Sequence, residues 1–232
     1  MADIKTLKYP QNSHRKKVSF PKHSVHLAEF FGIMMGDGGI NNLWQVTITL
    51  NSIKDANYST YISALCKRLF GILPVLRKRK NRNALVVSLA SISIVDFLVD
   101  NGLLRGNKLK QGLRIPEWIL GNKSYRRACI RGLVDTDGCM YIHIHNVKGK
   151  TYRNIGLTFT SLSLELIFQV AEIFAEFAII PHISGEGKSI YVYQADAVAR
   201  YLKIFGTSNR RIESVYEKWR DARAVEWATL ER

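Results

Sequence analysis

An internal repeat constrains the fold of this chain more than any other feature of its sequence. The segment LAEFFGIMMGDGGI, residues 27–40, matches RACIRGLVDTDGCM, residues 127–140, at a constant offset of 100 residues. Residues four apart lie on one face of an α-helix, and each copy places small residues at that spacing. Each copy therefore predicts a helix with a smooth stripe on which a second backbone can pack: Ala28, Gly32 and Gly36 in the first, and Ala128, Gly132 and Thr136 in the second.

Each predicted helix ends at an Asp-Gly step, Asp37–Gly38 in the first copy and Asp137–Gly138 in the second. Glycine suits a left-handed cap or turn at a helix end. A carboxylate there is unfavourable, because the helix dipole is negative at its C-terminal end, and it invites a cation. If the two stripes pack in parallel about a pseudo-twofold axis, the two aspartates meet at one end of the interface.

Weaker similarity continues downstream, with VTITLNS resembling GLTFTSLS, LFGILPV resembling FAIIPHI and RGNKLK resembling TSNRRI. The offsets between these segments vary, and such insertions belong in loops. Hydrophobic periodicity in each half predicts the order α-β-β-α-β-β-α. We therefore predict an α+β fold with two pseudo-symmetric half-domains, motif helices packed at the centre and two antiparallel sheets. The predicted domains are a basic arm at 1–23 and half-domains at 24–120 and 121–232.

The charge of the chain indicates its partner. Lys and Arg number 34 against 19 Asp and Glu, a net charge of +15, which favours a polyanion, nucleic acid above all. The three cysteines form no CxxC pair, which argues against a structural zinc site and a disulfide scaffold. Since no run approaches the roughly 18 apolar residues of a membrane helix, we expect a soluble intracellular protein with no membrane partner.

One face of each predicted sheet should pack on helices and leave the other polar and free. Polar side chains on alternating strand positions can reach base edges, while Arg and Lys contact phosphates. A charge run such as 77–82 can also be only a solvated hairpin tip. The predicted DNA-binding residues are Gln45, Thr47, Thr49, Arg77, Lys78, Arg79, Lys80 and Arg82 in the first half, and His143, His145, Lys148, Lys150, Arg153, Asn154, Thr158, Lys188, Tyr191 and Tyr193 in the second.

The segments FFGIMMGDG and IRGLVDTDG resemble two copies of the LAGLIDADG motif of homing endonucleases. The resemblance extends over the chain after the basic arm. It implies a pseudo-symmetric monomer whose two motif helices lie beneath a saddle of two sheets that bind double-stranded DNA. The first copy departs from the motif, since Met35 stands where many members carry an earlier aspartate, which the second copy keeps as Asp135.

The same resemblance implies the site residues. The last acidic residue of each motif, Asp37 or Asp137, would bind a divalent metal, joined by the backbone carbonyls of Gly36 and Thr136. The metal would be Mg²⁺ or Mn²⁺, with Ca²⁺ as a substitute that does not support cleavage. Two carboxylates bridged by metal suit phosphodiester hydrolysis. A basic residue is expected near each active site, and the candidates are Lys108 and Arg210, each directly after an asparagine.

Simpler interpretations stay open for these residues. Asp-Gly is a common turn dipeptide, and Lys108 and Arg210 could merely cap helix ends. The Asp135–Gly138 segment could begin a calcium loop, although Asn146 stands where such a loop needs a glutamate.

The resemblance implies a site-specific, magnesium-dependent double-strand DNA endonuclease with a long asymmetric target and short 3′ overhangs. The alternative is a protein of the same fold that binds nucleic acid without cutting it. That protein would be an intron maturase, with intron RNA as its partner, or a transcription regulator. A third interpretation combines both activities.

Overall fold

The computed structural model describes residues 17–230 and confirms the predicted α+β fold. Both halves follow the order α-β-β-α-β-β-α that the repeat predicts. The first half contains α1 (Val25–Met35), β1 (Gly38–Gly39), β2 (Gln45–Asn51), α2 (Ala56–Phe70), β3 (Val75–Lys78), β4 (Ala84–Ala90) and α3 (Ile92–Asp100). A short helix, α4 (Glu117–Leu120), leads to the second half.

The second half repeats this order and adds a long helix at its end. Its elements are α5 (Lys123–Asp137), β5 (Gly138–Val147), β6 (Lys150–Thr160), α6 (Leu164–Glu176), β7 (His182–Ile183), β8 (Ser189–Val192), α7 (Ala195–Ile204) and α8 (Arg210–Leu230). Residues 1–16 of the predicted basic arm lie outside the described part of the chain. Within 17–230, no helix is long and apolar enough to cross a bilayer.

Each half builds one four-stranded antiparallel sheet, in the orders β1-β2-β4-β3 and β5-β6-β8-β7. In the first sheet Val46 pairs with Leu89 and Ile48 with Val87, and all four side chains are buried against the helices. Because side chains alternate along a strand, the positions between them point to the opposite, open face. The period of two in the sequence thus predicted both faces of this sheet.

The motif helices α1 and α5 pack against each other at the centre of the molecule, with their backbones in contact. A Cβ atom added to Gly32 would overlap the Cys129 carbonyl oxygen, and one added to Gly132 would overlap the Glu29 carbonyl oxygen. The two contacts are equivalent under rotation about the pseudo-twofold axis. The stripes of small residues therefore form the interface that the repeat predicted.

The glycines of the two Asp-Gly steps serve a purpose that the sequence did not predict. Neither Gly38 nor Gly138 adopts the positive φ of a left-handed cap. Instead, the chain folds back over the last helical turn, so that a Cβ on Gly38 would lie 2.5 Å from Met34 Cα and one on Gly138 would lie 2.6 Å from Val134 Cγ1. Close approach, rather than backbone conformation, makes glycine necessary at both positions.

A buried ion pair joins the two motif helices beside their glycine contacts. Glu29 of α1 is fully buried, and its carboxylate accepts hydrogen bonds from Arg131 of α5, from the Tyr61 hydroxyl at 2.8 Å and from the Ser208 hydroxyl at 2.9 Å. A buried charge without such partners would cost several kcal/mol. The one sequence signal for this pair is an acidic residue inside an otherwise apolar run.

We predict that Gly32→Ala destabilises the protein by about 1–3 kcal/mol, because the added methyl group meets backbone atoms that cannot rotate away. Denaturant unfolding measures the change. Gly185→Ala is the matched control: its added Cβ meets nothing within 4 Å, and a change within about 0.5 kcal/mol is expected there. Equal stability of the two variants would contradict backbone contact between α1 and α5.

Candidate functional site

The C-terminal ends of α1 and α5 bring Asp37 and Asp137 to the same end of the helix interface. A Cβ on Gly36 would lie 3.2 Å from Asp137 Oδ2, so the carboxylate of one helix sits against the backbone of the other. Burial raises the pKa of Asp37 to about 7, and the charges of Asp137 and Asp55 add to this effect. Burial raises the pKa of Asp137 to about 6, with the charge of Lys108 opposing it.

Lys108 lies beside these carboxylates, where the resemblance placed it. Its ammonium donates hydrogen bonds to the carbonyl oxygens of Met35 at 2.6 Å, Gly38 at 3.0 Å and Gly36. Burial lowers the pKa of Lys108, while the charges of Asp137 and Asp37 oppose this change. Lys108 therefore caps the end of α1 and also faces the two aspartates.

The structure does not place Arg210 at the second motif. Its side chain lies on the exposed surface of α8 and pairs with Glu213 at 2.8 Å and Glu217 at 3.8 Å. The guanidinium that reaches the motif is that of Arg211. Adjacent residues of a helix point about 100° apart, so a register error of one residue moves a side chain from the site to the solvent.

Arg211 occupies in the second half the place of Lys108 in the first. Its two terminal nitrogens donate to the carbonyl oxygens of Gly138 and Asp135, each at 3.2 Å. Asp135 and Gly138 are the repeat equivalents of Met35 and Gly38, whose carbonyls accept from Lys108. One cation thus caps the end of each motif helix through equivalent carbonyls, although the cations differ in type.

A third carboxylate, Asp55, belongs to this site and was missed from the sequence. Its Oδ1 accepts hydrogen bonds from Arg211 Nε at 3.1 Å and from Asn209 Nδ2 at 2.9 Å. Asp55 stands just before α2, where an aspartate ordinarily signals a helix cap. Its link to the second half depends on residues more than 150 positions away, which no local pattern reveals.

The earlier motif aspartate, Asp135, is buried and holds the chain that precedes α8. Its carboxylate accepts from the Thr207 hydroxyl and from the Ser208 backbone N–H at 2.7 Å. Burial raises its pKa to about 7, against the effect of these two hydrogen bonds. Asp135 therefore holds the loop at 207–209 in place. In the first half, Met35 stands at the position equivalent to Asp135.

The donor set at the helix ends suits a hard divalent cation. Residues 17–230 contain no group of three or more His, Cys, Asp or Glu side chains arranged to hold a metal. A cation would instead rest on Asp37, Asp137 and backbone carbonyl oxygens near Gly36 and Thr136. Magnesium accepts such a site because it prefers oxygen ligands and retains several waters. The calcium-loop alternative fails, because residues 138–147 form strand β5.

The open face of the first sheet carries several of the predicted DNA-binding residues of that half. Thr47 and Thr49 lie on it, and a cleft of about 350 Å³ connects them to Asp37 and Lys108. Arg77 pairs with Val86 and shares this face, whereas Lys78 pairs with Leu85 and points to the helix side. The remaining predicted residues of this half are partly or fully exposed: Gln45 on β2, and Arg79, Lys80 and Arg82 at the hairpin tip.

The second sheet presents a more aromatic face. His143 pairs with Asn154 and Thr158 with Tyr191, and all four lie on the open side. Arg153 lies on the opposite side, that of buried Ile155, and its carbonyl accepts from Trp219 of α8. The other predicted residues are His145, which stacks on Tyr152; Tyr193, which stacks on Tyr191; Lys188, which pairs with Glu186; and Lys148 and Lys150, which are exposed in or beside the β5–β6 turn.

Tyr141 is an open-face residue that the sequence analysis did not select. Its ring lies across Gly156 of the neighbouring strand, where a Cβ would come within 2.5 Å of Cζ. A glycine opposite an aromatic residue on paired strands is the signal that could have identified it. The ring adds to the aromatic surface that Tyr191 and Tyr193 form.

This architecture is similar to that of known proteins. The family described as a LAGLIDADG-like domain matches residues 124–218. The I-LtrWI LAGLIDADG homing endonuclease bound to target DNA is similar with a TM-score of 0.58, at 12% identity, over 84% of this chain and 88% of that chain. Meganuclease I-SmaMI bound to uncleaveable DNA gives a TM-score of 0.57 at 11% identity, over 90% and 92%.

LAGLIDADG meganuclease I-CpaMI bound to uncleaved DNA gives a TM-score of 0.60 at 9% identity, over 90% of this chain and 93% of that chain. No curated protein matches the chain in sequence. The fold is nevertheless defined: one chain holds two pseudo-symmetric halves, in the fold that these double-motif LAGLIDADG endonucleases share. The LAGLIDADG-like domain model matches residues 124–218, in the second half, and the structural likeness extends over both halves. At the level of the fold, the resemblance seen in the sequence is confirmed.

We predict that Asp37→Asn stabilises the metal-free protein increasingly as pH rises. An acid whose pKa is raised on folding contributes stability below its unfolded pKa and loses it as pH rises through its folded pKa. For Asp37 that window runs from 3.8 to about 7. By pH 8 the free energy of unfolding of the variant should exceed that of the wild type by up to about 4 kcal/mol, since each pKa unit corresponds to about 1.4 kcal/mol.

Urea unfolding in the presence of a chelator at pH 4.5, 6 and 8 measures this difference. Asp196→Asn, at an exposed carboxylate on α7, is the control. A difference between Asp37→Asn and the wild type that stays constant with pH would contradict the raised pKa.

Proposed function

We propose that this protein is a metal-dependent, site-specific endonuclease that cuts both strands of DNA. The observation that carries the proposal is the meeting of Asp37 and Asp137 where the two motif helices end, with a basic side chain beside each helix end. Two carboxylates at one point, each with a raised pKa, make a site that a divalent cation would stabilise. The LAGLIDADG fold supports the same substrate, since I-LtrWI is bound to target DNA.

In this proposal Asp37 and Asp137 would hold a divalent metal, Mg²⁺ or Mn²⁺, and the chemistry that such a metal would supply is activation of a water and stabilisation of the leaving oxygen. Lys108 and Arg211 provide positive charge at the scissile phosphates, one for each half. Thr47 and Thr49 lie on the same cleft as Asp37 and Lys108. A duplex on the first sheet would therefore extend directly into the site.

We also propose that the target is asymmetric and that one molecule binds it. Both halves belong to one chain, so a single protein offers two open sheet faces. The first face carries threonines and the guanidinium of Arg77, whereas the second carries histidines and stacked tyrosines. Side chains this different cannot read the same bases in the two half-sites.

Cleavage of a randomised duplex library, or of DNA from the gene's own locus, tests the proposal. Sequence-specific cutting is expected in Mg²⁺, with binding alone in Ca²⁺. Binding in both ions without cutting in Mg²⁺ would instead support a maturase or a transcription regulator. Asp37→Asn and Asp137→Asn should each reduce double-strand cleavage by at least about 100-fold and leave binding largely intact. Full activity in either variant would refute the metal assignment.

Two neighbouring cations provide a test of the DNA-binding face. Arg77→Ala should weaken DNA binding and reduce the slope of log affinity against log salt by about one. The reason is that a protein with one phosphate contact fewer releases fewer counterions when it binds. Lys78→Ala is the matched control, since it removes the same charge from the opposite face of the same strand. Filter binding at several salt concentrations measures both. Equal effects of the two substitutions would show that charge alone, rather than the open face, binds DNA.

A further inference from the structure

Asp55 occupies a helix-cap position without capping its helix. It precedes α2, yet its side chain makes no capping hydrogen bond to that helix. One oxygen accepts from the Asn51 backbone N–H at 3.2 Å, behind the helix, and the other faces the second half of the molecule. The corresponding residue before α6, Ser163, does cap its helix through the Leu166 N–H at 3.2 Å. The two halves therefore differ at this position.

The other carboxylate oxygen of Asp55, Oδ1, contacts Arg211, whose guanidinium reaches the second motif. Oδ1 accepts from Arg211 Nε, while the terminal nitrogens of Arg211 bind the carbonyls of Gly138 and Asp135. A guanidinium is planar and rigid, so holding its Nε on one side fixes the direction of both terminal nitrogens on the other. Asn209 binds the same oxygen from the start of α8 and holds the carboxylate in place.

Lys108 is anchored differently. In the described structure the ammonium donates to backbone carbonyls at the end of α1, and its attraction to Asp37 and Asp137 acts without a hydrogen bond. Ser163 instead donates to the Leu113 carbonyl and does not reach Lys108. The pseudo-twofold symmetry is therefore broken where each basic residue is positioned: one has a carboxylate from the opposite half, and the other has none among its hydrogen-bond partners.

We propose that Asp55 of the first half is a positioning residue for Arg211 of the second, and that it controls the cleavage of one DNA strand. This inference rests on the proposed endonuclease function. Its consequence is that the site at the end of α5 needs residues from both halves, because its carboxylate, Asp55, and its guanidinium, Arg211, come from opposite halves. Loss of Asp55 leaves Arg211 with the carbonyls of Gly138 and Asp135 but without the Nε contact that sets the plane of its guanidinium, while Lys108 keeps all of its partners.

Strand-resolved cleavage of an end-labelled target tests this inference. Arg211→Ala and Lys108→Ala first identify the strand that depends on each cation. Asp55→Asn, which keeps the shape and removes the charge, should slow the Arg211-dependent strand by about 10- to 100-fold and the other strand by less than about two-fold. The double variant Asp55→Asn with Arg211→Ala should be no slower than Arg211→Ala alone, because both changes remove one interaction.

Ser163→Ala is the matched control, since it alters the equivalent position of the other half. It should leave the ratio of the two strand rates unchanged. Equal slowing of both strands by Asp55→Asn, or additive effects in the double variant, would overturn the inference and indicate a merely structural role.

A measurement on the metal-free protein separates this inference from the proposed function. In ¹⁵N-resolved spectra the Nε–H signal of Arg211, identified by its absence in Arg211→Lys, should be protected from exchange in the wild type. In Asp55→Asn that protection should fall by about 10-fold or more. A protein that cuts no DNA would refute the endonuclease function, whereas an Arg211 signal unchanged by Asp55→Asn would refute the positioning itself.

Discussion

The close approach of the two motif helices is the interaction on which the rest of the molecule depends. At Gly32 and Gly132 the backbones of α1 and α5 touch, and no side chain separates them. This contact brings the helix ends together, so that Asp137 reaches the backbone of Gly36. Any residue larger than glycine at these positions would move the two aspartates apart. The proposed cation site would need its two carboxylates within a few ångströms of each other, so it would depend on the glycines as much as on the acids.

Buried polar contacts add specificity to this apolar interface. Glu29 pairs with Arg131 across the two helices, and the segment at 207–209 donates to Glu29, Asp135 and Asp55. A buried charge is tolerated only when its partners are in place, and so each of these carboxylates selects one arrangement of the halves. The second half supplies most of the donors, while two of the three carboxylates belong to the first. The halves are thus interdependent although their sequences repeat.

The sequence predicted features that have a short period or a short range. Small residues four apart predicted the contact of α1 with α5, and alternation of two predicted the open faces that carry Thr47 and Thr49. The sequence-based predictions were wrong where a shift of one residue along a helix or strand changes the direction of a side chain. Arg210 and Arg211 are neighbours, yet only Arg211 reaches the motif. Lys78 likewise lies on the helix side of its strand, because strand pairing fixes the face.

The sequence by itself determined the repeat, the order of the elements, the two motif aspartates and the excess of positive charge. These are properties of residue spacing and composition, which a single chain displays in full. Only the tertiary structure decided that Arg211 caps the second motif helix and that Asp55 accepts from it, because the contact between these two joins residues 156 positions apart. Periodicity describes how a helix or strand presents its own side chains. Which partner each side chain meets depends on how the two halves dock, and this is set by packing at the glycine interface.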